Sequence, residues 1–424
     1  MRTLIVGGGA AGMAAAIAAA RAGQAVTVLE RGRRPLKKLG VTGNGRGNLL
    51  NAGAPDYPGG ADFAAQVLSV MPYARLTGFF REVGVPLRLE EEGRVYPASL
   101  LASTAVDALL LEARRLGVEI VVNARVTALA PAAGGFEARG TVCRYLPDVS
   151  KKSGKTKPGA LLEETEARWR GDRVIVAAGG AAAPVHGTDG TAYGLLTAFG
   201  HGLVPPRPAL CALTADPAPL RGLAGQRVRA ALRLLDARGG TLGQSRGEAL
   251  FAQDGVSGIA AMQLARCWQP GCTLHMDLSE SLFGPEAGGG AQAERLLRDR
   301  AQARGGLALE ELLVGAASPA LNAALLRAGG LSSRAGMPAG PQDLAALARA
   351  ISDFHVAVTG TRGFDAAQVT AGGVETAAFD PHTLQSRLCP GLYAAGEILD
   401  VDGACGGFNL MFAFASGLIA GGPN

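Results

Sequence analysis

Aromatic side chains are scarce in this sequence. Phe, Trp and Tyr make up 5% of 424 residues, so stacked rings cannot form the bulk of a core. Charge is sparse too, at 18%. Ala and 62 Gly carry much of the chain instead, which implies close backbone packing, although a GC-rich genome would produce the same bias. The six cysteines at 143, 211, 267, 272, 389 and 405 lack metal-ligand spacing, and Cys267 and Cys272 have no second pair, so no metal site is expected. No apolar run reaches the ~18–20 residues needed to cross a bilayer. The longest, "LMFAFASGLIAG" from Leu410 to Gly421, reads as a buried helix. The first apolar run is cut after four residues by Gly7-Gly8-Gly9, unlike a secretory signal. A cytoplasmic protein without a membrane partner fits these absences.

What is present points to a folded protein. Hydrophobic residues reach 48% with a mean hydropathy of +0.19, and the length suits two or three domains. The net charge of +5 is mild, but one segment concentrates it. Arg31 to Pro55 holds Arg31, Arg33, Arg34, Lys37, Lys38 and Arg46 and no acid. A bound anion, whether a cofactor phosphate or RNA, explains that cluster best, and a solvated basic loop is the plainer alternative.

The first thirty residues read as strand, glycine turn, helix, strand. "TLIV" is a strand buried on both faces, and "AAGMAAAIAAARAG" a helix ending at Gly23. Gly7 permits the tight turn, Gly9 lets the backbone approach a pyrophosphate, and Gly12 packs the helix close to the strand. Ala10 and Ala11 open the helix, whose free N–H groups suit a diphosphate. Glu30, 18 residues after Gly12, closes the second strand where an acid grips ribose hydroxyls. All these signals agree on a bound dinucleotide. They do not distinguish FAD from NAD, which share the ADP half.

The other end of the chain decides. In "GLYAAGEILDVDGACGGFNLMFAF" a strand ends at Gly396 and Glu397, and Gly406-Gly407 open a helix through Phe408, Asn409 and Leu410. A late strand-glycine-acid unit that returns to the first domain is the way a flavoprotein closes over its cofactor, so FAD is expected. A nicotinamide dehydrogenase would carry a separate substrate domain there. "KKLGVTGNGRGN", Lys37 to Asn48, would then run along the flavin and phosphates, offering Lys38, Thr42, Gly43, Asn44, Gly45, Arg46 and Asn48. Arg31, Val126 and the turn Ala178-Gly179-Gly180 after "RVIVA" complete the expected cofactor-facing set.

Between these ends the texture changes. Phe63 to Gly84 reads as one helix, "VPLRLEEEGRVYPAS" as a hairpin turning at Glu92-Gly93, and "DVSKKSGKTKP" as a lysine-rich hairpin tip or flexible excursion. From about Ala192 to Gly340, alternating segments such as "QRVRAALRLLDARGG" suggest antiparallel strands, with helical runs between Pro285 and Ala328. The α/β pattern returns after Pro341. The expected division is 1–190 with 341–424 as the nucleotide domain, 191–280 with 329–340 as a β-rich insertion, and 281–328 as a small helical domain.

The sequence resembles the bacterial FAD-dependent oxidoreductases grouped with aminoacetone oxidase, dehydro-bile-acid reductase and ribosomal RNA dihydrouridine synthase. "IVGGGAAGMAAA", "KKLGVTGNGRGN", "EEEGRVYPAS", "VIVAAGGAAAP", "FAQDGVSG", "TRGFDAAQVTAGGV" and "GLYAAGEILDVDGACGGFN" carry the likeness across nearly the whole chain. The resemblance implies an α/β fold: a Rossmann-like FAD-binding domain of the GR2-type flavoprotein, interrupted by a β-barrel-like domain and a small helical domain. The chain departs from the family at Gly47, usually Cys, at Ala182-Ala183-Pro184, usually Ser-Tyr-Pro, at Gln253, usually His, and in the run Leu410 to Phe414.

Flavin chemistry asks the protein for a proton donor. Cys405, directly before the helix-opening glycines, is the candidate acid, and a small buried apolar role is its plainer reading. Asp400, Asp402, His186 and His355 are weaker candidates with ordinary structural readings. No second dinucleotide fingerprint is present, so NAD(P)H would bind only transiently as donor. The leading expectation is an NAD(P)H-linked reductase of an unsaturated ring, with a uridine of large-subunit ribosomal RNA as one version. An FAD-dependent oxidase of a small amine and a flavin-binding RNA-associated scaffold are the alternatives.

Overall fold

The structure is a computed structural model that describes residues 1–146, 149–150, 156–157, 159–332 and 337–422. Its chain forms two units, Met1–Arg207 with Val369–Asn424, and Pro208–Gln368.

In the first unit the strand Arg2–Val6 has four consecutive buried residues, as an interior parallel strand requires. It lies between Ala25–Glu30 and Arg173–Val176, and Glu119–Val122 and Leu392–Ala394 complete a five-stranded parallel sheet. The edge strand comes from near the C-terminus, so this sheet closes only when the last fifty residues return to it. The helix Ala10–Arg21 follows the first strand, and the helix Phe408–Gly421 packs along it. Close approach is possible because the contact is made of alanine and glycine. A Cβ on Gly417 would lie 2.2 Å from the Ala11 carbonyl oxygen, and one on Gly421 2.2 Å from that of Ala15. Buried Arg173 ties the far end of this pair, donating to the Ala420 and Gly421 carbonyls at 3.0 and 3.1 Å and to Thr3 Oγ1 at 3.0 Å.

The region read as one helix over Phe63 to Gly84 is two, Ala61–Val70 and Tyr73–Glu82. Pro72 separates them, because proline disfavours helical backbone in the residue before it. The hairpin forms as expected from Leu87–Leu89 and Arg94–Pro97, with Glu92 in left-handed backbone at its turn. In the lysine-rich segment Val149–Ser150 pairs antiparallel with Thr156–Lys157, and the tip between them lies outside the described residues.

The second unit is a closed six-stranded barrel, in order Leu213–Ala215, Gly255–Ser257, Thr241–Ala252, Arg227–Leu235, Thr273–Asp277 and Phe354–Thr361. Strict alternation of exposed and buried residues along Arg227–Leu235 puts Val228, Ala230, Leu232 and Leu234 inside. The expected boundaries need correction here. The helix Pro341–Ser352 and the strand Phe354–Thr361 belong to this unit, since that strand closes the barrel by pairing with Leu213–Ala215 and Thr273–Asp277. The helices Gly290–Ala303 and Pro319–Ala328, read as a separate helical domain, also fall within it.

Candidate active site

The site grows from the turn after the first strand. Gly7 sits at φ +103°, and a Cβ there would lie 2.5 Å from the Ala177 carbonyl oxygen, so only glycine fits between the ends of adjacent strands. A Cβ on Gly12 would strike the Gly7 carbonyl oxygen at 1.9 Å, which holds the helix against the turn. Gly9 is different, with nothing within 4 Å of a Cβ built on it, and there the backbone faces open space. It caps a twelve-residue helix with no acid in its first turn, so the free N–H groups of Ala10, Ala11 and Gly12 present positive potential uncompensated.

Glu30 ends the neighbouring strand beside this space. Its carboxylate accepts the Gly8 N–H at 2.7 Å and the Gly32 N–H at 2.6 Å. Burial pushes its carboxyl above the usual range against the pull of those two amides. Each oxygen keeps a further lone pair for a ligand hydroxyl.

The basic loop and the two ends of the chain meet at one hub. Lys38 Nζ binds Glu397 Oε2 at 2.7 Å and the Ala182 carbonyl at 3.3 Å. Glu397 Oε1 accepts the Thr370 N–H at 2.9 Å and its hydroxyl at 3.0 Å. Thr370 Oγ1 in turn accepts the N–H groups of Ala181 and Ala182 at 2.8 and 3.0 Å. The second glycine turn is pressed against the same hydroxyl, for a Cβ on Gly180 would come within 2.4 Å of it. Gly179 packs against Thr188, and Ala178 is half-buried beside it. Thr370 was missed in the sequence. Its only signal was its place in "AQVTAGGV", where a fully buried hydroxyl interrupts an apolar strand.

Other basic residues of the segment are engaged within the protein. Arg31 makes a two-pronged pair with Asp189 at 2.6 and 2.9 Å and so holds the loop after the second glycine turn. Arg46 Nη2 binds Glu90 Oε2 at 2.5 Å while its guanidinium lies 4.4 Å from the Tyr96 ring centre. Lys37 donates to the Val185 carbonyl at 2.6 Å. Between them Gly43, Asn44 and Gly45 adopt consecutive left-handed backbone after Thr42, and the Gly45 Cα faces open space. Val126 is half-buried on the strand Ala124–Ala132.

The C-terminal helix supplies the last wall. Its cap, Gly407, lies at φ +104°, where a Cβ would meet the Leu50 carbonyl oxygen at 2.4 Å and Asn48 Oδ1 at 2.8 Å. Asn48 Oδ1 is buried there with no hydrogen-bond partner, an acceptor awaiting a donor. Asn409 folds back on the preceding loop, exchanging hydrogen bonds with Gly403 at 2.8 Å each, and the Phe408 carbonyl accepts the Tyr57 hydroxyl at 2.9 Å. The first-turn N–H groups of Phe408, Asn409 and Leu410 lack helical partners, as at any helix start. Cys405, half-buried just before the cap, has its thiol pushed up by burial, with Arg94 and Glu92 as nearby charges. Asp402 is buried and His186 is pushed down by burial and by Lys37 and Lys38. His355 lies on the barrel of the other unit.

An open helix start beside a half-buried carboxylate, a second helix start beside an orphaned acceptor, and two nested glycine turns fit an elongated anionic dinucleotide. Over residues 1–423 the sequence matches the HI0933-like protein Rossmann domain. The chain belongs to that family. The 3-dehydro-bile acid delta(4,6)-reductase of Clostridium scindens is 35% identical, covering 98% of this chain and 97% of its own. The ribosomal RNA dihydrouridine synthases of Escherichia coli and Haemophilus influenzae are each 25% identical over 97% of this chain. This member of the HI0933-like family is therefore a Rossmann-type FAD-binding oxidoreductase. No helix among its described residues is long and apolar enough to cross a membrane.

Proposed function

We propose that the protein is an NAD(P)H-dependent reductase that saturates a ring C=C bond conjugated to a carbonyl in a small molecule. The observation that carries this reading is the hub of Lys38, Thr370 and Glu397, which builds one cradle from both ends of the chain. In that cradle the amides at Gly9 to Gly12 would hold the pyrophosphate and Glu30 the ribose. The turn Ala178 to Gly180, Val126 and the loop Thr42 to Asn48 would line the cofactor's length, and the amides of Phe408 to Leu410 would face the flavin pyrimidine. Bound FAD would supply the hydride. The protein must supply the matching proton. Cys405 suits that task, because burial keeps its Sγ protonated at neutral pH beside the helix start.

The names of the relatives support ring reduction, since a delta(4,6)-reductase and a dihydrouridine synthase both act at ring C=C bonds. The small-molecule version is favoured over RNA by the fate of the basic segment. Arg31, Lys38 and Arg46 are paired with the carboxylates of Asp189, Glu397 and Glu90, which leaves less free charge for a phosphate backbone. NAD(P)H, lacking a fingerprint of its own, would bind briefly and leave before the acceptor enters.

Anaerobic titration with NADH and NADPH tests this. The yellow protein should bleach, recover colour quickly on addition of a 3-oxo steroid enone, and recover slowly in air. Rapid recovery in air that the enone does not accelerate would favour an oxidase. Recovery with uridine-containing ribosomal RNA but not with the enone would move the substrate to RNA.

A further inference from the structure

We propose that the barrel carries a binding site for a divalent transition cation, formed by His275, Asp353 and His355. His275 and His355 stand directly opposite each other on the antiparallel strands Thr273–Asp277 and Phe354–Thr361, so their side chains share one face. Their rings stack at 5.1 Å with 22° between planes. Asp353 follows the helix Pro341–Ser352 and turns its carboxylate between them, Oδ1 at 2.7 Å from His275 Nδ1 and Oδ2 at 3.8 Å from His355 Nδ1. One ligand atom from each of the three lies within 4.8 Å of the others. A tetrahedral ion with ligand bonds near ~2.0–2.2 Å spaces its donors about 3.3–3.6 Å apart, so the 2.7 Å His275–Asp353 contact would widen and separations of up to 4.8 Å would close by up to about 1.5 Å.

The donor types select the ion. Two imidazoles and one carboxylate suit Zn²⁺, Co²⁺, Ni²⁺ or Cu²⁺, whereas Mg²⁺ and Ca²⁺ want oxygen throughout. The outer contacts are those of a ligand histidine. Thr273 Oγ1 sits 3.0 Å from His275 Nε2, which fixes that ring with Nδ1 toward the site, and His355 Nδ1 donates to the Asp353 carbonyl oxygen at 3.0 Å, which leaves Nε2 as the ligand nitrogen of that ring. His355 is 61% exposed, so the fourth position is open to water. Arg233 Nη2, 4.0 Å from Asp353 Oδ1, is the opposing charge, and its side chain is 56% exposed and free to turn into solvent. A simple ion pair would explain His275 with Asp353, but not a second imidazole stacked in register on the first. Bound metal would pin the closing strand of the barrel to its neighbour. The expectation of no metal rested on cysteine spacing, and His275 lies 78 residues before Asp353 with no motif to join them.

The test is calorimetric titration of the full-length, FAD-loaded protein with Zn²⁺, and with Mg²⁺ as control. Wild type should bind one Zn²⁺ and rise in Tm, because a ligand of the native state alone stabilises it, and Mg²⁺ should do neither. His355→Ala, at an exposed position, and His275→Ala should each weaken Zn²⁺ binding by roughly tenfold or more and abolish the Tm rise. Equal zinc affinity in wild type and both variants would place the metal elsewhere, on cysteines for example, and overturn the proposal. So would the absence of any zinc effect on wild type.

Discussion

Replacing Thr370 by valine removes one oxygen from the centre of the cradle and almost no volume. The side chain is fully buried, and its hydroxyl accepts two amides and donates to Glu397. The Ala182 N–H is itself buried, so losing this acceptor costs about 1–3 kcal/mol. Ala181 is half-buried and water can replace part of its bond, which keeps that loss under about 1 kcal/mol. The donation to a carboxylate is worth about 1.5 kcal/mol, although the Thr370 N–H still reaches the same oxygen. The total is about 3 kcal/mol, concentrated where the second glycine turn meets the C-terminal segment. Expressed wholly as looser cofactor binding, that is about a hundredfold in Kd. Flavin fluorescence during titration of apoprotein with FAD measures it, and Thr370→Ser should restore most of the affinity because it keeps the oxygen. If Thr370→Val binds FAD as tightly as wild type and melts at the same temperature, the hydroxyl bridge does not organise the site.

Cys405→Ala should slow product formation by about 10²–10⁴-fold if the thiol delivers the proton, with bleaching by NAD(P)H unchanged; undiminished turnover assigns it to packing. Gly417→Ala forces a Cβ to 2.2 Å from the Ala11 carbonyl and should cost at least about 1–3 kcal/mol in a denaturant melt. Gly78→Ala, inside the helix Tyr73–Glu82 with nothing within 4 Å of its Cβ, should instead stabilise by about 0.5–1 kcal/mol. Glu112, hydrogen-bonded by Arg115 and Arg21, has its carboxyl pulled down to about 2. A depressed carboxyl stabilises the fold above its unfolded value near 4.5, and that contribution is lost as pH falls toward 2. Arg115 is 66% exposed, so screening trims the effect to about 1 kcal/mol. Melts of Glu112→Gln from pH 7 to pH 3 should start lower than wild type and converge with it in acid.

The nucleotide unit was legible because its signals are local and redundant. Strand, glycines, helix and Glu30 occupy one short segment, and each glycine has a steric reason that a sequence reader can state. The barrel was legible as alternation along Arg227–Leu235, but its closure was not. The strand Phe354–Thr361 looked like a return to α/β because it follows a helix, and only its pairing with Thr273–Asp277 and Leu213–Ala215 shows otherwise. Long-range partnership is the quantity that periodicity cannot carry. The same limit hid Thr370, whose three hydrogen-bond partners come from two distant segments. It also hid Asp189, which takes the Arg31 guanidinium that the sequence offered to a phosphate.

The high glycine and alanine content had two explanations, genome bias and close packing, and position separates them. Gly417 and Gly421 are four apart on one helix, and Ala11 and Ala15 are four apart on the helix it meets, so each pair lies on one face. A genome bias would scatter small residues without regard to that register. Gly396 adds a third contact, since its Cβ would come 2.8 Å from that of Ala11. Ala11 thus touches both the C-terminal helix and the turn that presents Glu397. It is also in the first turn of the helix expected to receive the pyrophosphate. Enlarging the Ala11 side chain would therefore press on the turn at Gly396 beside the first helix start, and the small-residue contact is what lets the first and last segments of the chain approach so closely.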